Sequence, residues 1–187
     1  DSVVLCSVPL FHVTGLQHCM NNVVYAGATT VIMSRWDKQL ALHLIADFRV
    51  SHWTNIPTMV VDVLSAPEAL SMDWSSMSFI GGGGASMPEA IAQRLLDLTG
   101  LAYAEGFGST ESISQTHWNP PGGERKQCLG IPVVDTDSRV LDPETLRELG
   151  PGEVGEIISS GPQIMRGYWN KPEASAESFI ELDGKRF

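Results

Sequence analysis

The sequence predicts an α/β fold, a mostly parallel sheet with flanking helices that is followed by a smaller β-rich segment. Short apolar runs alternate with helical patterns through the first 118 residues, and most of these elements end at glycine or proline. Such alternation is typical of parallel sheets with helices on both faces. The composition changes at residues 119–123, Asn-Pro-Pro-Gly-Gly, after which strand-like runs dominate. We therefore predict an α/β part over residues 1–118 and a β-rich part of the same domain over residues 119–187.

The first six elements alternate regularly. Residues 3–8 form a short apolar run that Pro9 ends, which predicts a buried strand. Helix start and stop signals then recur along the chain. They predict, in order, a helix over 16–26 ended by Gly27, a strand over 28–33, a helix from the cap Asp37 to about Phe48, a strand over 51–55, and a helix opened by Pro57.

Two strands with unusual loops come next. A strand is predicted over 76–80, followed at once by four glycines, and Ser86 with Glu89 forms a capping box for a helix that ends at Gly100. The next predicted strand ends at Ala104 and leads into a tight loop over residues 105–111. Beyond it we predict a hairpin of strands 138–141 and 155–159, and a short helix over 172–179.

Composition excludes some functions. The chain has 187 residues, 43% of them hydrophobic, and a net charge of -10. This charge argues against a nucleic-acid scaffold but leaves nucleotide binding open. No apolar run approaches the roughly 18 residues of a membrane helix. Three scattered cysteines without a CxxC pair fit a reducing compartment, so we expect a cytoplasmic protein without a transmembrane segment. The sequence starts directly on a strand-like run and stops in mid-pattern at residues 185–187, so we expect it to be cut at both ends from a longer chain.

The two glycine-containing loops should face one ligand. Both follow strands of a parallel sheet, and ligands bind beyond the carboxyl ends of such strands. The glycines allow a close approach of backbone, the helix after them favours an anion, and Glu111 suits a magnesium ion. A tight turn at the glycines and a helix cap at residues 109–112 remain the alternatives. Glu105 also stands where a dinucleotide-binding site would have its acidic residue.

His12 lies in a third loop expected at the same edge. A histidine beside apolar residues is more often a hydrogen-bonded wall residue than a catalyst, and both interpretations stay open. The other histidines show no metal-ligand spacing. The hydrolase pattern Gly-x-Ser-x-Gly does not occur in the sequence.

With these loops in this order, the sequence resembles the AMP-forming adenylating enzymes, which include acyl-CoA synthetases, luciferases and nonribosomal-peptide adenylation domains. Four stretches carry the resemblance. They are the Pro-x-Phe-His motif in residues 9–15, Gly-Gly-Ala in residues 83–85, a form of Tyr-Gly-x-Thr-Glu with Phe107 for the usual tyrosine in residues 106–111, and Gly-Glu followed by Gly-Tyr in residues 155–169.

The resemblance implies roles for individual residues. Thr110 would contact the AMP phosphate, Glu111 would ligate Mg²⁺, and Phe107 would stack on adenine. His12 would form a wall of the acyl pocket, which Gly83 and Gly108 would border. As a set, the implied catalytic residues are Thr110, Glu111 and His12, and the implied nucleotide-binding residues are Gly83, Gly84, Ala85, Gly106, Phe107, Gly108, Ser109 and Thr110.

The implied reaction joins a carboxylic acid to a thiol, usually coenzyme A, through an acyl-adenylate made from ATP. The family's phosphate loop, ribose-binding aspartate and lid lysine do not occur in the sequence, so we expect this piece alone to be inactive. A fatty acid is the leading substrate, with an aryl-acid ligase or a carrier-protein-loading domain as the nearest alternatives. A dinucleotide-binding domain and a non-catalytic interaction module are the alternatives from other classes, and a homo-oligomer stays open.

Overall fold

The computed structural model describes residues 2–187 and contains a seven-stranded sheet with helices packed on it. Five strands are parallel neighbours: β1 (Val3–Cys6), β2 (Thr29–Ile32), β3 (His52–Asn55), β4 (Phe79–Gly82) and β5 (Ala104–Ser109). Two antiparallel strands extend the sheet, β6 (Ser114–Trp118) and β7 (Ile131–Pro132), in the order β2-β1-β3-β4-β5-β6-β7. The structure thus confirms the predicted α/β class.

The helices begin and end largely at the predicted signals. A π-helix (Gly15–Asn21) continues into α1 (Asn22–Ala26), which ends at Gly27 with a left-handed φ of 62°. The side chain of Asp37 caps α2 (Lys38–Asp47) by accepting a hydrogen bond from Leu40 N at 2.9 Å. The remaining helices are α3 (Pro57–Leu64), a 3₁₀ helix (Pro67–Leu70), α4 (Glu89–Thr99) and α5 (Pro172–Glu177).

Three predictions about local structure were wrong. The capping box at Ser86 does not form, because Pro88 is the N-cap of α4 and the cap makes no side-chain hydrogen bond. The expected loop over residues 105–111 is mostly strand β5, and the turn that follows it occupies the residues between β5 and β6. Likewise Gly81 and Gly82 belong to β4, so only Gly83 and Gly84 of the four glycines enter the loop.

The core lies between the parallel strands and α1–α4. Its centre contains fully buried side chains from β1, β3, β4 and three of the helices, namely Leu5, Ile45, Trp53, Val60, Val63, Ile80 and Leu95. Trp53 also donates its indole N–H to Ser7 Oγ at 2.9 Å, so its polar atom is satisfied inside the core. This packing makes the carboxyl ends of the strands a rigid platform.

The β-rich part contains two small antiparallel sheets. Strands β8 (Asp137–Leu141) and β9 (Glu156–Ser160) pair as the predicted hairpin, and β10 (Glu181–Leu182) pairs with β11 (Lys185–Arg186). Arg139 of β8 joins the two sheets by an ion pair to Asp183, in the turn between β10 and β11, at 2.6 Å, and it also pairs with Asp137 of its own strand at 3.2 Å. The seven-stranded sheet extends past residue 118 through β7, and the division of the chain at that point stays a prediction.

Candidate functional site

A cavity of about 320 Å³ lies at the carboxyl edge of the parallel strands. The three segments that the sequence predicts to meet all line it. The lining residues are His12, Val13, Thr14, His18, Thr54, Gly82, Gly83, Gly84, Gly106, Phe107, Gly108, Ser109, Thr110, Glu111, Ser114, Gln115 and Trp118. Of the predicted nucleotide-binding residues, Ala85 is exposed and lies outside this set.

The glycines shape the floor of the cavity by their small size. Gly106 adopts no positive φ, but a Cβ there would lie 2.2 Å from Trp118 Cε3, so only glycine lets the indole pack on the β5 backbone. Gly84 differs, because its φ of 82° favours glycine in the loop after β4. The predicted close approach to a glycine backbone is therefore made, at Gly106, by the indole ring of Trp118.

The turn between β5 and β6 is held by the buried hydroxyl of Ser112. Its Oγ accepts a hydrogen bond from Ser109 N at 3.0 Å and donates to Ser114 O at 2.9 Å. The next residue, Ile113, has a φ of 49°, which is strained for a β-branched side chain. Ser112, which no motif in the sequence marks, fixes the turn that presents Thr110 and Glu111 to the cavity.

Glu111 is anchored from outside the sheet. Its Oε1 accepts a hydrogen bond from the Tyr168 hydroxyl at 2.8 Å, and its carbonyl accepts one from Met165 N at 2.7 Å. The Tyr168 hydrogen bond is the main cause that lowers the pKa of Glu111, which keeps the carboxylate ionised at neutral pH. The tyrosine of the downstream Gly-Tyr motif thus orients the acidic residue of the upstream motif.

One ionised carboxylate fits a magnesium ion that keeps most of its waters. Mg²⁺ in nucleotide sites is usually held by one or two carboxylates together with substrate phosphates. Glu111 lines the cavity beside the exposed Thr110, where such phosphates would lie. Across residues 2–187, no three His, Cys, Asp or Glu side chains gather into a site that could hold a metal without a ligand.

His12 and Phe107 stand at the mouth of the cavity. His12 is exposed, and its Nδ1 accepts a hydrogen bond from Thr14 N at 3.2 Å, a contact that restrains the orientation of the ring. The Phe107 ring is 40% exposed and meets His117 at a centroid distance of 6.0 Å with a 58° tilt. Phe107 also borders a second cavity of about 300 Å³, which reaches the β8–β9 hairpin.

The inner end of the cavity contains polar residues that the sequence analysis did not assign to it. His18 Nε2 lies 2.9 Å from Ser114 Oγ, and the His18 ring stacks on Trp118 with a centroid distance of 6.0 Å and an interplanar angle of 24°. Burial lowers the pKa of His18, which keeps the imidazole neutral. The spacing of Thr14 and His18, four residues apart, was the available signal, because it places both on one helix face.

The start of α4 does not contribute to the cavity. Met87 N donates to the buried Glu105 Oε1 at 3.2 Å, and residues 85–99 are absent from the cavity lining. The anion site expected at this helix N-terminus is therefore not part of the cavity. The same contact engages the carboxylate that a dinucleotide site would require for ribose.

Comparison with known proteins identifies the family. A family model described as "AMP-binding enzyme" matches residues 1–169. The chain belongs to the AMP-binding enzyme family. The fold and the order of the motifs agree with this assignment.

The relatives act on different acids according to their names. The chain is 36% identical over 174 residues to a long-chain-fatty-acid–CoA ligase of Bacillus subtilis, which covers 92% of this chain and 31% of that protein. It is 34% identical over 183 residues to a feruloyl-CoA synthase of Amycolatopsis, covering 95% of this chain and 36% of that protein. A crystal structure of a long-chain-fatty-acid-CoA ligase from Archaeoglobus fulgidus matches with a TM-score of 0.91 and 26% identity, covering 100% of this chain and 39% of that one.

The chain spans about a third of the length of the curated relatives that it matches. Within residues 2–187, every helix is too short or too polar to cross a membrane.

Proposed function

We propose that the protein containing this chain is an ATP-dependent ligase that joins a carboxylic acid to coenzyme A through an acyl-adenylate. The observation that carries the proposal is one cavity lined by Gly83, Phe107, Thr110 and Glu111 at the carboxyl edge of a parallel sheet. This is where an open α/β sheet binds nucleotides. Membership of the AMP-binding family and the CoA-ligase names of the relatives support the same reaction.

The reaction would proceed in two balanced steps. A carboxylate oxygen of the acid attacks the α-phosphorus of ATP. The bond between this phosphorus and the oxygen that bridges it to the β-phosphate breaks, and pyrophosphate leaves. The thiolate of coenzyme A then attacks the acyl carbonyl, and AMP leaves with the electrons of the acyl–oxygen bond. The bound Mg²⁺ would supply charge neutralisation on the phosphates.

The cavity residues would bind and orient the reactants. Phe107 would stack on the adenine, for which its exposed ring offers a face, and Gly83 and Gly84 would let the loop lie close to the base. Thr110 would donate its hydroxyl to the α-phosphate, and Glu111 would hold Mg²⁺. Gly106, Gly108 and Ser109 would form the floor beneath the adenylate, and Ala85 would lie beside the adenylate. The side of the cavity that His12 lines would face the acyl group.

The acid is either a fatty acid or an aryl acid. The fatty-acid interpretation is supported by the name of the Bacillus subtilis relative. The aryl-acid alternative is supported by the name of the feruloyl-CoA synthase and by His18, Ser114 and Gln115 at the inner end of the cavity. Coenzyme A is the proposed thiol, and a carrier-protein thiol is the alternative. The free thiols of Cys6, Cys19 and Cys128 support a proposed cytoplasmic location.

ATP–pyrophosphate exchange tests the first step. We expect the protein containing this chain to catalyse acid-dependent exchange, and the 187-residue chain alone to be inactive or nearly so. Glu111→Gln should lower exchange and weaken its Mg²⁺ dependence, whereas Glu144→Gln, on an exposed turn, should change neither. Tyr168→Phe should weaken Mg²⁺ activation by about 10- to 100-fold, because it removes the hydrogen bond that orients Glu111. Equal exchange by the Glu111 and Glu144 variants would contradict the assignment.

A further inference from the structure

The tyrosine that holds Glu111 comes from a segment without regular secondary structure. Residues 161–171 connect β9 to α5 and form only turns and bends. The Tyr168 side chain is 39% exposed, so its hydrogen bond to the Glu111 carboxylate competes with bonds to water. Because no helix or strand holds the backbone here, the reach of the hydroxyl to Glu111 Oε1 depends on the side chains that fasten this segment.

Ser175 fastens the backbone of Tyr168 to α5. Its Oγ accepts a hydrogen bond from Tyr168 N at 2.8 Å and donates its one proton to Lys171 O at 2.7 Å, while Tyr168 O lies further away, at 3.4 Å. Helix serines often donate to the carbonyl four residues earlier, so the bond to Lys171 alone is ordinary. The bond from Tyr168 N differs, because it uses the acceptor side of the hydroxyl to hold a residue outside the helix.

Gly167 leaves room for this contact. A Cβ at Gly167 would lie 3.0 Å from Ser175 Oγ and 3.2 Å from Ser175 Cβ, closer than the distance at which such atoms pack favourably. The φ of 152° at this position also favours glycine. The glycine that precedes the tyrosine in the Gly-Tyr motif therefore lets the serine of α5 reach the tyrosine backbone.

The end of α5 lies close to the other end of the same side chain. The hydrogen bond to Glu111 is the main cause that raises the pKa of Tyr168, and a hydrogen bond with the Ser178 side chain acts in the opposite direction. Ser178 is the C-cap residue of α5. One short helix thus contacts both the backbone nitrogen and the hydroxyl of the tyrosine that orients Glu111.

We propose that Ser175 is a positioning residue for the proposed magnesium site and acts on Glu111 through Tyr168. Ser175 fixes the tyrosine backbone, the tyrosine hydroxyl orients the carboxylate, and the carboxylate would hold Mg²⁺. The inference rests on the proposed ligase function, because that function places ATP and Mg²⁺ in the cavity. Ser175 itself is not part of the cavity lining, so its replacement leaves the nucleotide-contacting residues in place.

Nucleotide binding with and without metal tests the proposal in the full protein that contains this chain. The probe is α,β-methylene-ATP, in which a methylene group replaces the oxygen between the α- and β-phosphates, so that pyrophosphate cannot leave. Calorimetry measures its affinity in Mg²⁺ and in EDTA. The ratio of the two affinities reports the contact between the protein and the metal, and ATP–pyrophosphate exchange is measured alongside.

Ser175→Ala should lower this ratio. We expect a decrease of about 3- to 10-fold, smaller than the effect of an outer-shell partner of a metal ligand, because Ser175 is one contact further from the metal than Tyr168. Ser175→Thr keeps the hydroxyl and should keep the ratio near that of the wild type. Alanine is the strongest helix former, so the variant should retain α5, and its melting temperature checks this.

A double variant separates positioning from a general loss of stability. If Ser175 acts through Tyr168, Ser175→Ala should cause no further decrease in the ratio when Tyr168→Phe is already present. The control is Ser71→Ala, which removes a similar hydrogen bond from a serine hydroxyl to a backbone carbonyl, Glu68 O at 3.2 Å, at the end of the 3₁₀ helix. This control should keep the wild-type ratio.

The two proposals fail in different ways. An unchanged ratio in Ser175→Ala, or an equal further decrease in the Tyr168→Phe background, would overturn the positioning role, and acid-dependent exchange by the wild type would then still support the ligase function. A ratio lowered by Ser175→Ala, in a wild type that shows no exchange with any acid, would overturn the ligase function and leave the positioning role standing.

Discussion

Replacing Gly106 by alanine tests how the cavity floor is built. The added Cβ would lie 2.2 Å from Trp118 Cε3 and 2.5 Å from Cζ3. Carbon atoms in contact prefer at least about 3.5 Å, so the indole must retreat by about 1.3 Å. It has little room to do so, because Phe79 and His18 stack against it at centroid distances of 5.8 and 6.0 Å. The backbone of Gly106 has no positive φ and tolerates alanine, so the clash alone sets the cost.

The expected cost is that of overpacking a well-packed site, about 1–3 kcal/mol in the free energy of unfolding. For a chain of this size, each kcal/mol lowers the melting temperature by about 2–4 °C, which gives a decrease of about 2–12 °C. Urea denaturation of the 187-residue chain measures the free energy, and near-ultraviolet circular dichroism reports the environment of Trp118.

Gly150→Ala is the matched control. The nearest atom to its added Cβ is Glu153 Oε2 at 3.4 Å, the end of an exposed side chain, so no clash arises. We expect the control to be as stable as the wild type, or more stable by up to about 1 kcal/mol from reduced unfolded-state entropy. The reasoning fails if Gly106→Ala unfolds within about 0.5 kcal/mol of the wild type with an unchanged aromatic spectrum.

Three further substitutions test other contacts of the fold. Tyr103→Phe should lower the free energy of unfolding by about 1–3 kcal/mol, because it removes the hydroxyl that donates to the buried Asn55 Oδ1 at 3.2 Å; urea denaturation measures it, and an unchanged midpoint would refute it. Ile113→Asn should raise the melting temperature, because asparagine tolerates the left-handed φ of 49° better, and a lower value would contradict the strain argument. The hydrogen bond from Arg139 is the main cause that lowers the pKa of Asp137 to about 2. The stabilisation that the ionised Asp137 gives to the folded state is therefore present above pH 4 and is lost as pH falls toward 2. Asp137→Asn should therefore reduce the loss of unfolding free energy between pH 4 and pH 2, as measured by urea denaturation at several pH values. An unchanged loss in that range would contradict the argument.

Local signals in the sequence predicted helix ends correctly where the residue that starts or stops the helix lies at that end of the helix. Asp37, Gly27 and Pro57 all act on backbone within one turn of themselves, and each stands where the prediction placed it. The capping box at Ser86 failed because the helix begins later, with Pro88 as its N-cap, and the preceding Met87 N instead donates to Glu105 on the next strand. A tertiary contact of this kind leaves no trace in local spacing.

The site was predicted in outline, and its inner end was missed. The three motif segments meet at one cavity, as the parallel-sheet rule requires. The rule says nothing about antiparallel strands, and β6 supplies Ser114, Gln115 and Trp118 by turning back along β5. Glycine and serine are poor strand formers, so residues 106–109 look like a loop until their partner strand is known. His18 was considered only as a metal ligand and not as a cavity wall.

The strand order of the large sheet also sets an order of folding. From β4 to β7 each strand pairs with the strand that precedes it in the chain, whereas β2 and β3 both pair with β1, one on each side. The sheet can therefore grow one strand at a time in the direction of synthesis. Until β6 is made, β5 would be an open edge with unpaired backbone groups, the kind of edge at which chains aggregate. Because β6 follows β5 after only four residues, the interval in which this edge is exposed on the ribosome is short.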